Sequence, residues 1–168
     1  MKELRITENN IDDLYNLPDK LDVLYCGGIG LLKLPELPDT LKYLDCGYNN
    51  LKELPDLPKS LKVLDCSGIG LVDLPELPKS LQKLYCSKNK LKKLPELPKS
   101  LIRLHCYNNQ LKELPELPDS LISLGCDYNN LTVLPKLPKT LEILYCSHNK
   151  LFSLPELPEK LKVLDCNN

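Results

Sequence analysis

The chain has 168 residues, 42% of them hydrophobic, and a formal net charge of −1. Leucine supplies 41 positions, proline 15 and cysteine 8, while alanine and tryptophan are absent. So many prolines without the strongest helix former exclude a helical bundle. Near-neutral charge argues against global steering toward nucleic acid or anionic membrane, and no apolar run approaches the roughly 18 residues of a membrane span. The opening residues MKELRITENN lack the apolar core of a secretory signal, so a cytoplasmic chain is expected.

A fixed period organises the whole sequence. Cys26, Cys46, Cys66, Cys86, Cys106, Cys126, Cys146 and Cys166 each lie 20 residues from the last, and the leucines keep the same step. Written once, the unit is LxxLxCxxNxLxxLPxLPxx. Residues 1–20 fit with Met1 and Leu4 in leucine slots, Ile6 in the cysteine slot and Asn9 in the asparagine slot. Residues 1–168 therefore read as one array, eight 20-residue repeats plus the first 8 residues of a ninth.

Within each unit the elements follow in chain order. The xLxC segment alternates apolar and polar residues, which predicts a short strand with Leu and Cys inward. Stacked copies form a parallel sheet that advances roughly 4.8 Å per repeat. Asparagine at position 9 follows the strand, where its amide satisfies backbone groups of its own and neighbouring turns. Leucines at positions 11, 14 and 17 fill the interior from the return side. Paired prolines, as in Leu34-Pro35-Glu36-Leu37-Pro38, impose extended, polyproline-like backbone there. The expected fold is a curved right-handed solenoid of parallel strands with few or no helices, each repeat burying its leucines against the next.

The Leu-Pro-x-Leu-Pro signature with its LxxLxxxxNxL partner resembles the 20-residue leucine-rich repeats of bacterial effectors. These include the Yersinia outer protein M type and the repeat half of the Shigella and Salmonella secreted ubiquitin ligases. The resemblance covers residues 1–168 and implies a leucine-rich repeat fold and a host or cellular protein as partner. Those ligases carry a Cys-x-Asp nucleophile in a separate catalytic domain, and no Cys-x-Asp occurs here. A non-enzymatic array is thus expected. The alternatives are the recognition arm of such a ligase, without its catalytic domain, or an engineered or self-assembling scaffold. Ends without polar caps make self-association the accompanying expectation.

The cysteines lack the CxxC spacing of a zinc site, and in-register neighbours stand too far apart for disulfides. They read as a ladder of buried thiols, little reactive in the native state, with no metal or cofactor. Gly27-Gly28-Ile29-Gly30 lacks the helix that a phosphate-cradling loop needs. With Ile29 and Ile69 in asparagine slots, repeats 2 and 4 are expected to be weak points. Asn130-Leu131-Thr132 is a formal glycosylation sequon without a secretion signal to support it. His105 and His148 lie on different registers, so no metal pair or catalytic couple is expected.

The variable face carries the functional signal. Positions 3, 5, 7 and 8 should project from the concave side of the sheet and its following loop. They hold Tyr25, Tyr43, Tyr48, Tyr85, Tyr107, Tyr128 and Tyr145, seven of the eight tyrosines. Tyrosine gives a large, rigid contact with a hydroxyl, the character of an interface anchor. Lys83, Lys88, Arg103 and His105 form a basic centre on this face, with Asp45 and Asp65 before it and Asp127 and Asp165 after it. The face therefore reads as a site for a protein or peptide partner, acidic or phosphorylated, centred on Tyr85, Arg103, His105 and Tyr107. Neither nucleic acid nor membrane is an expected partner.

Overall fold

A computed structural model describes residues 2–167. Each repeat contributes one three-residue strand: β1 Glu3–Arg5, β2 Val23–Tyr25, β3 Tyr43–Asp45, β4 Val63–Asp65, β5 Lys83–Tyr85, β6 Arg103–His105, β7 Ser123–Gly125, β8 Ile143–Tyr145 and β9 Val163–Asp165. The strands pair in parallel in chain order, β1 through β9, as a single sheet. Register never slips: Leu24 faces Leu44, Leu44 faces Leu64, and so on along the stack. One 20-residue turn of chain returns each strand beside its predecessor, which builds a curved solenoid.

The interior is continuous from Ile6 to Cys146. Leucines at positions 1 and 4 and the cysteine at position 6 have essentially no exposure in repeats 2 to 8. Leucines at positions 11, 14 and 17 close the core from the return side, and Leu37 and Leu57 pack against it partly buried. After the second proline the chain turns tightly, with the Leu41 amide donating to the Pro38 carbonyl at 2.9 Å and the same bond repeated at Leu61, Leu81, Leu101 and beyond.

Two side-chain ladders tie the turns together. Asn49 Nδ2 donates to the carbonyls of Cys26 and Cys46, while its Oδ1 accepts from the amides of Ile29 and Leu31. Asn89, Asn109, Asn129 and Asn149 repeat this pattern, so each asparagine ties its own repeat to the preceding one. The second ladder is built by hydroxyls at position 20. Thr40 Oγ1 donates to the carbonyls of Asp19 and Leu21, and Ser60, Ser80, Ser100, Ser120 and Thr140 do the same one repeat further each time.

Two expectations are corrected. In the first repeat Tyr15 stands where later repeats have proline, so the segment retains its amide and Glu8–Asn16 forms a 3-10 helix, kinked at Asn10. There Asn10, not Asn9, ties the loop: its Oδ1 accepts from the Thr7 amide and its Nδ2 donates to the Arg5 carbonyl, while Asn9 is exposed. The weak points also shift. Asn49 and Asn89 still satisfy the loops of Ile29 and Ile69 from the following repeat. What the isoleucines omit is the tie backward, from repeat 2 to repeat 1 and from repeat 4 to repeat 3. Among the described residues the Leu51 amide accordingly has no asparagine oxygen, whereas those of Leu31, Leu71, Leu91, Leu111 and Leu131 do.

Candidate functional site on the outer face of the sheet

Strand alternation sends positions 3 and 5 outward, and the loop bend presents position 8 beside them. Position 7, expected on this face, is part-exposed at Tyr107 and Asp127 but buried at Gly47, Ser67, Ser87 and Ser147. Position 8 adopts left-handed backbone in repeats 2 to 8, with φ of 54° at Tyr48, 56° at Lys88 and 51° at Tyr128. This bend lifts the side chain clear of the stack, and Tyr48 and Tyr128 are more than half exposed. The candidate residues therefore fall into two parallel rows, one on the strands and one on the loops.

The strand row forms a chain of contacts. The Arg5 guanidinium lies 4.3 Å above the Tyr25 ring, and Tyr25 lies 5.0 Å from Tyr43. Burial, aided by the nearby Asp45, Tyr25, Asp65 and Tyr85, pushes the Tyr43 hydroxyl up to about 12. Tyr43 is thus a neutral hydrogen-bonding group at any physiological pH. Further along, the Tyr85 ring meets His105 edge-on at 5.3 Å, and Arg103 Nη1 donates to the Tyr85 hydroxyl at 3.4 Å. His105 Nε2 lies 3.4 Å from Ser123 Oγ. Burial and the Arg103 charge hold His105 below its ordinary value, against a smaller upward pull from Asp65.

The acids are drawn into the fold. Asp45 Oδ1 accepts from the Gly47 amide and Asp65 Oδ1 from the Ser67 amide, so each fixes the loop that follows its own strand. Burial raises Asp45, the Gly47 amide opposes that shift, and Asp65 adds to it. Asp127 accepts from the Ser147 amide and is also raised by burial. Asp165 is lowered by the Ser147 hydroxyl and the Asn167 amide. These carboxylates, which stand before and after the basic centre, all accept hydrogen bonds from the loops and so also serve the fold.

On the loop row, Tyr48 extends across Gly68 toward Lys88, whose Nζ lies 5.5 Å from the ring centroid and 3.4 Å from the hydroxyl. A Cβ at residue 68 would stand 2.9 Å from Tyr48 Cδ1, so glycine there makes room for the reach. Tyr128 stacks on His148 at 4.2 Å. Lys83 and Tyr107 are half-buried and Tyr145 is exposed; no aromatic or ion-pair partner holds any of the three among the described residues. The structure thus brings Tyr25, Tyr43, Asp45, Asp65, Tyr85, Arg103 and His105 into one row. It sets Tyr48 with Lys88, and places Tyr128 and Tyr145 further along.

The sequence reading missed Arg5 on this face and Ser87 and Ser123, which are buried beneath it. The 20-residue register supplied the signal, since all three occupy positions 3, 5 or 7 of their repeats. On the opposite side, open grooves of 300 to 570 Å³ separate neighbouring Leu-Pro-x-Leu-Pro segments, as between Leu57, Lys59, Pro75 and Leu77. No helix among the described residues is long and apolar enough to cross a membrane.

Parallel single-strand repeats, an asparagine ladder and an aromatic outer face define a leucine-rich repeat protein, and the chain belongs to that class. A family model of leucine-rich repeats in two copies matches residues 79–119. The fold is similar to YopM from Yersinia enterocolitica WA-314, with 34% identity and a TM-score of 0.84 over 99% of this chain and 42% of that one. It is likewise similar to YopM from Yersinia pestis, a leucine-rich effector protein, with 43% identity and a TM-score of 0.85 over 89% and 44% of the two chains. A Shigella effector leucine-rich repeat domain matches at 36% identity and a TM-score of 0.63, covering 87% of this chain and 56% of that domain. The chain thus spans less than half the length of the two YopM structures. Comparison with curated protein sequences gives no match. The fold is that of a protein-interaction module.

Proposed function

We propose that the chain is a non-enzymatic recognition module that holds a protein or peptide partner against the outer face of its sheet. The observation that carries this reading is the row from Tyr25 through Tyr43 and Tyr85 to His105. Its rings pack on one another or on Arg5 and Arg103 while they remain partly exposed. Rings held in this way lose little further freedom when a partner docks, which favours binding. Similarity to effector proteins supports a cellular protein as partner, and a chain with seven buried free thiols suits a reducing cytoplasm.

The test is affinity capture followed by titration of the captured protein. It compares the native chain, Tyr85→Ala/Arg103→Ala, and Lys92→Ala/Lys93→Ala as a control outside positions 3, 5, 7 and 8. Loss of affinity confined to the first double variant supports the reading. Equal affinity for all three chains contradicts it.

A further inference from the structure

Repeats 5 and 6 combine two features that the stability of the solenoid leaves unexplained. Lys83 and Arg103 are register partners in β5 and β6, so two cationic side chains leave the same face one strand spacing, roughly 4.8 Å, apart. Like charges directly opposite destabilise a sheet. No carboxylate relieves this pair: among the described residues the ion pairs are Lys42–Asp22 and Lys162–Glu142. The polar neighbour of Arg103 is the Tyr85 hydroxyl, which leaves most guanidinium donors free.

The second feature is Ser87, whose hydroxyl is buried at 1% residue exposure and has no hydrogen-bond partner among the described residues. Its direction follows from the repeat register. Position-7 side chains point at the position-5 side chain of the next repeat. Ser147 Oγ donates to Asp165 Oδ1, and a Cβ at Gly27 or Gly47 would lie 2.9 or 3.3 Å from the carboxylate of Asp45 or Asp65. By the same register Ser87 points toward His105; Ser147 finds a carboxylate oxygen in the equivalent place, and Ser87 finds none. A buried hydroxyl without a partner is destabilising, and an acceptor oxygen supplied by a partner would relieve it.

We propose that Lys83, Ser87, Arg103 and His105 form a site for one phosphorylated side chain of the partner protein. The site rests on the recognition reading above and gives that face its chemistry. A phosphoryl group brings close to two negative charges and several acceptor oxygens to one point, which suits two adjacent cations and an unpartnered hydroxyl. An extended acidic run fits less well. Asp65 lies one repeat before this cluster and Asp127 one repeat after it, so successive carboxylates would meet like charge on either side.

Fluorescence anisotropy with degenerate peptide pools tests the site. The pools carry central phosphoserine, phosphothreonine or phosphotyrosine, and matched pools carry the unmodified residue or a run of glutamates. At least one phosphorylated pool should bind about tenfold tighter than its unmodified counterpart and than the glutamate pool. Lys83→Ala/Arg103→Ala should abolish that preference, and Ser87→Ala, which leaves both charges in place, should reduce it several-fold. Lys92→Ala/Lys93→Ala, which removes the same charge elsewhere, should retain it. Equal binding of phosphorylated and glutamate pools, or an equal loss in the Lys92/Lys93 control, would overturn the site. Partner capture that depends on Tyr85 but survives phosphatase treatment would also overturn it, while leaving the recognition reading intact.

Discussion

Repeats 4 to 8 and repeats 1 to 3 share one core but are tied differently. From repeat 4 onward every interface carries an asparagine, Asn89, Asn109, Asn129 or Asn149, that satisfies both carbonyl and amide groups across the repeat boundary. Toward the N-terminus the tie is present between repeats 2 and 3 through Asn49, and missing on both sides of it, at Ile29 and Ile69. Glycines absorb the difference: Gly30 and Gly70 take φ of 73° and 82° at position 10, a conformation the asparagine loops do not need. The comparison separates two sources of stability. Leucine packing is uniform along the stack, whereas backbone satisfaction is local. The proposed binding centre on β5 and β6 lies inside the continuously tied region, where rigid presentation lowers the entropy lost on binding.

The sharpest way to test the shared core is to truncate it in both regions. Leu44→Ala and Leu84→Ala, each at a fully buried position, should each destabilise by about 2–5 kcal/mol in urea denaturation. A large loss at Leu84 with a small one at Leu44 would show that the core is not uniform. The tie itself is probed next. Asn109→Ala leaves the Leu91 amide and the Cys86 and Cys106 carbonyls short of a partner and should cost about 1–3 kcal/mol. Ile69→Val removes only packing and should cost about 0.5–1.5 kcal/mol. If the order of the two is reversed, the isoleucine loop is not the less demanding one.

Thiol chemistry distinguishes the closed stack from its last strand. Burial pushes Cys26 and Cys106 up to about 12 and Cys146 to about 11, and seven cysteines are buried, but Cys166 is exposed. Titration of native protein with a thiol reagent should therefore give one fast equivalent, and denatured protein eight. Several fast equivalents in the native state would mean that the stack opens readily.

The smallest expected effect is a pH dependence at His105. Its folded-state pKa lies below the ordinary 6.5 of an unfolded chain, so the unfolded state takes up the proton first. Stability from this term is full above about pH 6.5 and is lost as pH falls through that value toward the depressed one. Denaturation midpoints followed through this window should decline, and His105→Gln should flatten the decline. An unchanged curve would remove His105 as its cause.

The 20-residue period made most of the fold legible, because the leucine slots at positions 1 and 4 and the cysteine slot at position 6 stay buried through repeats 2 to 8. Its strands, their number and the buried leucine and cysteine positions all follow from that. What the period obscured is direction. Asparagine ties backward, so Ile69 weakens the boundary with repeat 3 and not its own loop, a fact no single repeat displays. The first repeat deviates through Tyr15, where one absent proline permits a 3-10 helix. On the candidate face the tyrosines were legible by position alone. The structural use of Asp45 and Asp65 was not, because an aspartate that accepts from an amide two residues on has the same sequence signature as a free surface charge. The hydroxyls at position 20 recur from Thr40 to Thr140, with lysine at Lys20 and Lys160, yet their role depends on two carbonyls of separate turns.

Amide hydrogen exchange on the chain with and without a captured partner tests the central claim most directly. Recognition through the outer face predicts slowed exchange across residues 83–88 and 103–108, strongest in the loops after β5 and β6, with the Leu-Pro-x-Leu-Pro segments unchanged. Protection confined to those proline segments, with residues 83–88 and 103–108 exchanging as in the free chain, would contradict it.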